Sequence, residues 1–416
     1  MKKYENLAFL FNIENNFDLR RQLSNSHYSL KKFSESYEKI FFLDFYSLKL
    51  FKKKNNLDKK ILVEFNLDKN IEFISFKNFF ELIKFFKRKK IVVISFGFGT
   101  AYNDLLIHFF LRFFDIKHVQ IQNVGNHQII QTRSVNKFKA FFLYYLKAVV
   151  SRKIIVLFSI LGIFHKIQIR FITNKLQTKF REKNSISKFR NKKGLNFVKE
   201  YILVNSRTFD IYKENKEQIS DEYIILLDEQ LNEPQWTRFR EKFSENQVRE
   251  HYKNLNKLLN NLSQSLNKKV IITLHPNDNL EYKKDIFKNF EVVKYKTREF
   301  IYKSFLVIFF ESSAISDAFL LNKNVAVIKS KILDINQKLS IDFFIKELHI
   351  PFFDIDKDMN KPLTKNVLMS EGIIKNEEKL RSDYANYLEN YVYRKSDNVK
   401  GFDRITNELN KRYFHK

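Results

Sequence analysis

Short apolar runs rich in β-branched and aromatic residues recur along this chain, each followed by a longer mixed segment of helical character. Lys39–Tyr46 (KIFFLDFY), Lys60–Phe65 (KILVEF) and Ile91–Phe96 (IVVISF) are such runs, and His118–Gln122 (HVQIQ) continues the series after the helical stretch Tyr102–Phe114. They read as buried strands, and strands alternating with helices imply βαβ units and a parallel sheet. The N-terminus, MKKYENLAFLFNIENN, has a basic start but no long apolar core and no small-residue cleavage site, so it reads as a first strand and not as a signal peptide.

The pattern pauses at Thr178–Lys199, a strongly basic and weakly periodic stretch suited to a surface connection, and then begins again. Tyr201–Asn205 (YILVN) and Glu222–Leu227 (EYIILL) open a second series. It continues through a helix at Val248–Leu266, strands at Lys269–Leu274 (KVIITL) and Glu291–Lys294, and a helix at Thr297–Ser304. Strand Phe305–Phe310 (FLVIFF), helix Ala314–Leu321 and strand Asn324–Ile328 follow. With 416 residues the chain is longer than one hydrophobic core serves. The expectation is therefore an α/β protein of two Rossmann-like domains, residues 1–199 and 200–375. A polar helical tail, 376–416, is placed to cross back onto the first domain.

Composition narrows the function classes. There are no cysteines, which excludes disulfides, thiolate catalysis and cysteine-ligated zinc and fits a cytoplasmic setting. The formal charge is +28, with 75 Lys and Arg against 47 Asp and Glu. Such a field attracts phosphate-rich partners: nucleic acid, anionic lipid or nucleotide-linked substrates. The other reading is lysine enrichment through AT-rich codon usage, for Asn, Ile and Phe are abundant as well. Residues 137–170 (KFKAFFLYYLKAVVSRKIIVLFSILGIFHKIQIR) punctuate apolar runs with cations. The longest uncharged run, Ile154–Phe164, has 11 residues where a bilayer span needs about 20. The segment near 137–175 is either an interfacial element against an anionic inner-membrane surface or an amphipathic core element with a basic outer face.

Open α/β sheets bind ligands beyond the carboxyl ends of their strands. In the second series that rule selects three turns. Asp228-Glu229-Gln230 follows YIILL, His275-Pro276-Asn277-Asp278 follows KVIITL, and Glu311-Ser312-Ser313 follows FLVIFF and opens a helix. A strand running into Ser-Ser at a helix start offers free N–H groups, two hydroxyls and the positive end of the helix dipole, which suits phosphate; it also suits an ordinary serine cap. His275, set by Pro276, can donate to a phosphate or act as a general acid, or simply satisfy a turn. In the first half, Ile94–Asp104 (ISFGFGTAYND) places Gly97 and Gly99 between strand and helix. Gln122–His127 (QNVGNH) adds polar groups on a glycine turn. Asp354-Ile355-Asp356 spells D-x-D but reads as a solvated acidic turn, and no metal is assigned.

The order Asp228-Glu229, His275-Pro276, Ser312-Ser313 resembles the acidic-pair, His-Pro and Ser-Ser motifs of bacterial sialyltransferases and related transferases of nonulosonic acids and Kdo. It is also similar to a broader set of capsule and O-antigen enzymes. The similarity covers Tyr201–Ile328, with VNSRTFDIY, YIILLDEQ, VIITLHPND and FESSAISDAFLLNKNVAVI as its segments. The resemblance implies a GT-B fold, two Rossmann-like domains facing a central cleft, and an inverting, metal-independent glycosyltransferase with no cofactor. Its donor would be a nucleotide sugar, a CMP-linked acidic sugar above all. The acceptor would be a surface polysaccharide or lipid-linked glycan. His275, Pro276, Asn277, Glu311, Ser312 and Ser313, with Asn205 and Ser206, would hold the donor. Asp228 or Glu229 would be the general base, although Gln230 stands where the motif has Gly. GT-B enzymes usually hold the acceptor in the first domain, which makes Gly97, Gly99, Asp104, Asn126 and His127 acceptor-side candidates, Asp104 as a further catalytic carboxylate. Two alternatives stay open: a polyol-phosphate transferase using a CDP-alcohol, and a non-enzymatic nucleic-acid or lipid-surface binder. No nucleic-acid motif is visible, so no nucleic-acid partner is expected. The expected location is cytoplasmic, peripheral on the inner face of the membrane.

Overall fold

The computed structural model describes residues 6–11, 29–37, 39–44, 71–76, 78–88, 91–95, 105–122, 158, 166–173, 198–215, 219–228, 231, 243–275, 278–333, 335–358, 361–394 and 396–414. They form two compact units. One takes the described residues up to Asp210 and again from Tyr393; the other spans Ile211–Val392.

The first unit is built on a seven-stranded sheet. Its strands are β1 (Asn6–Phe11), β2 (Ile40–Asp44), β3 (Ile71–Ser75), β4 (Ile91–Ser95), β5 (Lys117–Gln122), β6 (Ile167–Ile172) and β7 (Val198–Leu203), in the order β3-β2-β1-β4-β5-β6-β7. Every pairing is parallel. Period-two alternation sorts side chains to opposite faces. Leu7, Phe9, Phe42, Val92 and Ile94 join one core; Ala8, Phe41, Leu43, Ile91 and Val93 join the other, under the helices Phe79–Arg88 and Leu105–Phe113. The first of these cores is completed from the far end of the chain, by Phe402, Ile405, Leu409 and Phe414. Phe402 meets Phe33 edge-on at 4.7 Å, and Phe414 lies 5.0 Å from Tyr37, whose hydroxyl donates to Asn410 at 2.9 Å. Each buried ring contributes about 1.5–3 kcal/mol, which anchors the returning helix Gly401–Leu409.

Three observations refine the sequence pattern. The run Lys60–Phe65 lies outside the described residues, whereas Ile71–Ser75, not marked as a strand by the pattern, pairs with β2 at the sheet edge. Its Glu72 breaks the apolar run and faces Lys39 at 2.5 Å. Ile167–Ile172, inside the basic apolar zone, is an interior strand between β5 and β7 with Ile169 and Phe171 buried, so that part of the zone is sheet core rather than interface. Val198–Leu203, which the pattern makes the start of the second series, is the last strand of the first sheet. Among the described residues no helix is long and apolar enough to cross a membrane.

The second unit holds a six-stranded parallel sheet in the order β10-β9-β8-β11-β12-β13. Its strands are β8 (Tyr223–Leu227), β9 (Lys269–Leu274), β10 (Glu291–Lys294), β11 (Ser304–Phe309), β12 (Asn324–Lys329) and β13 (Phe352–Asp354). The long helix Glu245–Leu266 starts on a full capping box. Ser244 Oγ accepts from Gln247 N at 3.3 Å, and Gln247 Oε1 accepts from Ser244 N at 2.9 Å. The helix stops at Asn267 in the left-handed region, φ 50°. Helix Glu377–Tyr391 closes the unit by laying Tyr384 and Tyr387 against Phe319, with ring centroids 4.3 and 4.8 Å apart.

The strand order fixes where a ligand belongs. From β8 the chain steps outward through β9 to β10, then returns to the other flank of β8 with β11 and steps outward again. The order therefore reverses between β8 and β11, and in open α/β sheets such a reversal is where a ligand binds, at the carboxyl edge.

Candidate functional site

Register brings three of the sequence-selected turns to that edge. Leu227 pairs with both Phe309 and Thr273, so the residues that follow, Asp228, Phe310-Glu311 and Leu274-His275, leave three adjacent strands side by side. Glu229, Pro276 and Asn277 lie outside the described residues, as do Gly97, Gly99, Asp104, Asn126 and His127.

Asp228, expected as a general base, is held in a buried ion pair. Its side chain is 1% exposed and forms an ion pair with Lys283, on the helix Leu280–Ile286; Lys283 also donates to Tyr252 Oη. A second carboxylate, Asp278, stands 3.8 Å from the same ammonium, whose charge also lies 4.6 Å from the Tyr252 ring centre. Burial alone would lower the Lys283 pKa; Asp228, then Tyr252 and Asp278, outweigh it and raise it, so the ammonium keeps its proton. A general base must reach the proton of an acceptor hydroxyl. Asp228 instead faces inward, with its backbone N–H donating to Thr273 O at 3.1 Å. Its role is to pin the end of β8 to the helix beneath the edge.

His275 is exposed at the end of β9. Its carbonyl accepts from Asp278 N at 2.9 Å, and Asp278 O accepts from Lys294 Nζ at 2.8 Å. Partial desolvation, then the Lys294 charge, hold the imidazole pKa below its ordinary value of 6.5. At neutral pH the ring is uncharged, with one nitrogen able to donate and the other to accept. The Ser-Ser turn differs from a simple capped helix. The helix it opens, Ile315–Leu320, has six residues, and Ser312 Oγ already accepts from Ala314 N at 3.2 Å. Ser313 is exposed, and no described residue is hydrogen bonded to its hydroxyl. Glu311 Oε1 accepts from Ser340 Oγ at 2.8 Å, tying the turn to the helix Ile335–Glu347.

Beneath this edge lies a layer the sequence pattern misses. His251 on the long helix, 3% exposed, shares a 3.1 Å hydrogen bond between Nδ1 and Ser330 Oγ, and its ring packs on Tyr252 and Phe310 at 5.2 and 5.6 Å. Burial, then Lys283, push its pKa down to about 3, so it is neutral. Lys283, Tyr252, His251 and Ser330 thus form a fixed polar floor under the ends of β8, β11 and β12. Lys294 adds a cation at the end of β10. A buried lysine in LEYKKDI carries no sequence signal, because its neighbour Lys284 is exposed and of the same type.

Asn205 and Ser206, expected to hold the donor, are engaged by hydrogen bonds within the first unit. They sit in the first unit, 1% and 0% exposed. Asn205 Nδ2 donates to Asp397 O and Val399 O, both at 2.7 Å, and its Oδ1 accepts from Arg394 N at 3.0 Å. Ser206 Oγ accepts from Phe209 N at 3.2 Å, at the start of helix Arg207–Glu214. The Asn205 side chain thus holds the return of the chain, and that of Ser206 caps the helix beside it. Asp354 and Asp356 likewise serve their own turn. Asp354 Oδ1 accepts from Asp356 N at 3.2 Å, and Asp356 Oδ2 accepts from Lys331 N at 2.6 Å.

No family model matches this sequence, and no curated protein is similar to it. Solved structures do resemble the fold. Phytolacca americana UGT2, complexed with UDP-2fluoro-glucose and pterostilbene, superposes with a TM-score of 0.51 at 10% identity, covering 99% of this chain and all of that one. A UDP-N-acetylglucosamine 2-epimerase gives 0.49 at 11% identity, over 100% and 98% of the two chains. A variant of the wall teichoic acid polymerase TagF soaked with CDPG gives 0.45 at 10% identity, over 98% and 88%. The fold is GT-B, two Rossmann-like domains. At these identities the likeness speaks for fold alone.

Proposed function

We propose that this protein is a nucleotide-sugar-dependent glycosyltransferase whose donor is bound at the carboxyl edge of β9, β8 and β11. The observation that carries the reading is that His275 and the Ser312-Ser313 turn leave the strands on either side of β8, at the reversal of the second sheet, with Lys294 bonded to the turn after His275 and a buried ion pair at the end of β8. A phosphate there would accept from His275, Lys294 and the exposed hydroxyl of Ser313, which disperses the charge that grows on a leaving nucleotide. In this reading the transfer is inverting and needs no metal. The donor is a CMP-linked acidic sugar, and the acceptor is a bacterial surface polysaccharide or lipid-linked glycan. With Asp228 inside the ion pair, Glu229 is the base in this reading and Asp104 the further catalytic candidate; Gly97, Gly99, Asn126 and His127 are the acceptor-side candidates. Contact with an anionic inner-membrane surface is supported by Phe80, Phe109 and Phe113, 81%, 48% and 67% exposed on two helices that also expose Lys84, Lys87 and Arg112.

Thermal unfolding of the full chain with CMP, CDP and UDP, followed by product mass with the matching sugars, tests this. CMP at about 100 times its Kd should stabilise the fold by about 2.7 kcal/mol. His275→Ala and the pair Ser312→Ala, Ser313→Ala should abolish both that shift and transfer. Stabilisation by CDP-alcohols alone would move the reading to polyol-phosphate transfer at the same turns. Full transfer by both variants would remove it.

A further inference from the structure

At the other end of the same sheet edge a cavity of about 390 Å³ opens beside the ends of β12 and β13 and the helix Ile335–Glu347. Its floor is apolar, with Leu333 and Ile341 1% and 2% exposed, and Ser330 reaches it from above the buried His251. Its wall carries four lysines against three aspartates. Two of those ammonium groups are already engaged by carboxylates. Lys331 Nζ lies 3.0 Å from Glu250, and Lys357 Nζ lies 3.7 Å from Asp354. The other two are not. Lys338 Nζ donates to the Lys331 carbonyl at 3.0 Å, Lys329 Nζ sits 5.0 Å over the Phe352 ring, and no described carboxylate is within ion-pair distance of either.

An apolar floor with a rim of charged donors and acceptors suits a pyranose ring, which offers one C–H face and a girdle of hydroxyls. The volume is near the lower end of small-molecule sites and has room for one sugar ring. Two ammonium groups with no carboxylate partner among the described residues suit an anionic substituent on that ring through charge-assisted hydrogen bonds. The hydrogen bond from Ser340 to Glu311 ties the helix that walls the cavity to the turn carrying Ser312 and Ser313.

We propose that this cavity is a binding site for an anionic monosaccharide unit, with Lys329 and Lys338 holding its carboxylate or phosphate. Binding of the ring does not depend on the donor reading; its assignment as the sugar half of a donor gripped at Ser312-Ser313 does. The test uses the full chain and D-glucuronate, with D-glucose as the neutral comparison, by titration calorimetry and ligand-observed NMR. Glucuronate should bind about tenfold more tightly than glucose, the equivalent of about 1.4 kcal/mol. Lys329→Ala with Lys338→Ala should remove that preference and leave the melting temperature unchanged. A control pair on the first unit, Lys84→Ala with Lys87→Ala, should keep it. The site is overturned if glucuronate binds no better than glucose, or if both lysine pairs weaken it equally, which is the signature of diffuse charge. CMP stabilisation, read in the same samples, reports on the strand-end turns separately. Its loss with glucuronate binding intact sinks the donor reading and leaves the cavity standing.

Discussion

The two units bury the same kind of group in opposite ways. In the second, the Asp228 carboxylate meets the Lys283 ammonium, which also donates to the Tyr252 hydroxyl and lies 3.8 Å from a second carboxylate, Asp278. In the first, Asp210 is fully buried and, among the described residues, accepts from the backbone N–H groups of Gly401 and Phe402, at 2.6 and 2.8 Å. Burial outweighs those two bonds and pushes the Asp210 pKa up to about 7. Each carboxylate fixes a junction: Asp228 holds a strand end where a ligand is expected, and Asp210 holds the start of a helix arriving from the far end of the chain. The ion pair resists protonation and makes a floor of constant charge. The backbone-bridged carboxylate makes a clamp that responds to pH.

The largest effect should come from breaking the ion pair. Lys283→Met leaves Asp228 buried without its cation and should cost about 3–5 kcal/mol in urea unfolding. Adding Asp228→Asn should recover part of that loss, as the charge left behind is removed. A loss below about 1 kcal/mol would mean the pair is not what fixes the edge. Next is the clamp of the first unit. A Cβ on Gly401 would stand 1.9 Å from the Asn205 carbonyl oxygen, so Gly401→Ala should destabilise by about 1–3 kcal/mol. CMP binding to the variant that still folds should stay at the wild-type value, because Gly401 belongs to the other unit; a weakened affinity would break the separation drawn here.

The pH dependences should run in opposite directions. The Asp210 pKa is raised from 3.8 to about 7 in the fold, so its contribution is complete at low pH and is lost as pH rises through that window. The His251 pKa is lowered from 6.5 to about 3, so its contribution is present above pH 6.5 and is lost on acidification towards 3. Stability measured from pH 4 to 8 should therefore gain a steeper rise with pH in Asp210→Asn and a flatter one in His251→Phe. Parallel curves for both variants and the wild type would contradict the comparison. The smallest effect should come from Ser312→Ala alone. It removes one hydrogen bond to Ala314 N, about 0.5–1.5 kcal/mol of local stability, while Ser313 keeps its hydroxyl.

How far the sequence could be read depends on whether period alone defines an element. KVIITL, FLVIFF and IVVIS are buried on both faces and rise directly from composition. Ile71–Ser75 escaped because Glu72 interrupts its run at a sheet edge where a charge is tolerated. YILVN was placed in the wrong sheet because a strand's periodicity carries no record of its neighbour; its pairing with β6 is a tertiary choice. For the site, the strand ends were legible and the roles were not. Asp228 looks like a base until Lys283, 55 positions away, is seen to occupy it. Asn205 and Ser206 look like ligand groups until the returning segment is seen to engage the first and the start of helix Arg207–Glu214 the second. Buried partners distant in the chain are the information a one-dimensional pattern lacks.

Amide hydrogen exchange on the full chain, with and without saturating CMP, tests whether an anionic ligand is gripped where β9 and β11 end. Exchange should slow at residues 274–278 and 310–316 and stay unchanged at 205–206, whose side chains are already committed. Protection absent from 274–278 and 310–316, with CMP demonstrably bound, would place the ligand elsewhere and contradict the account.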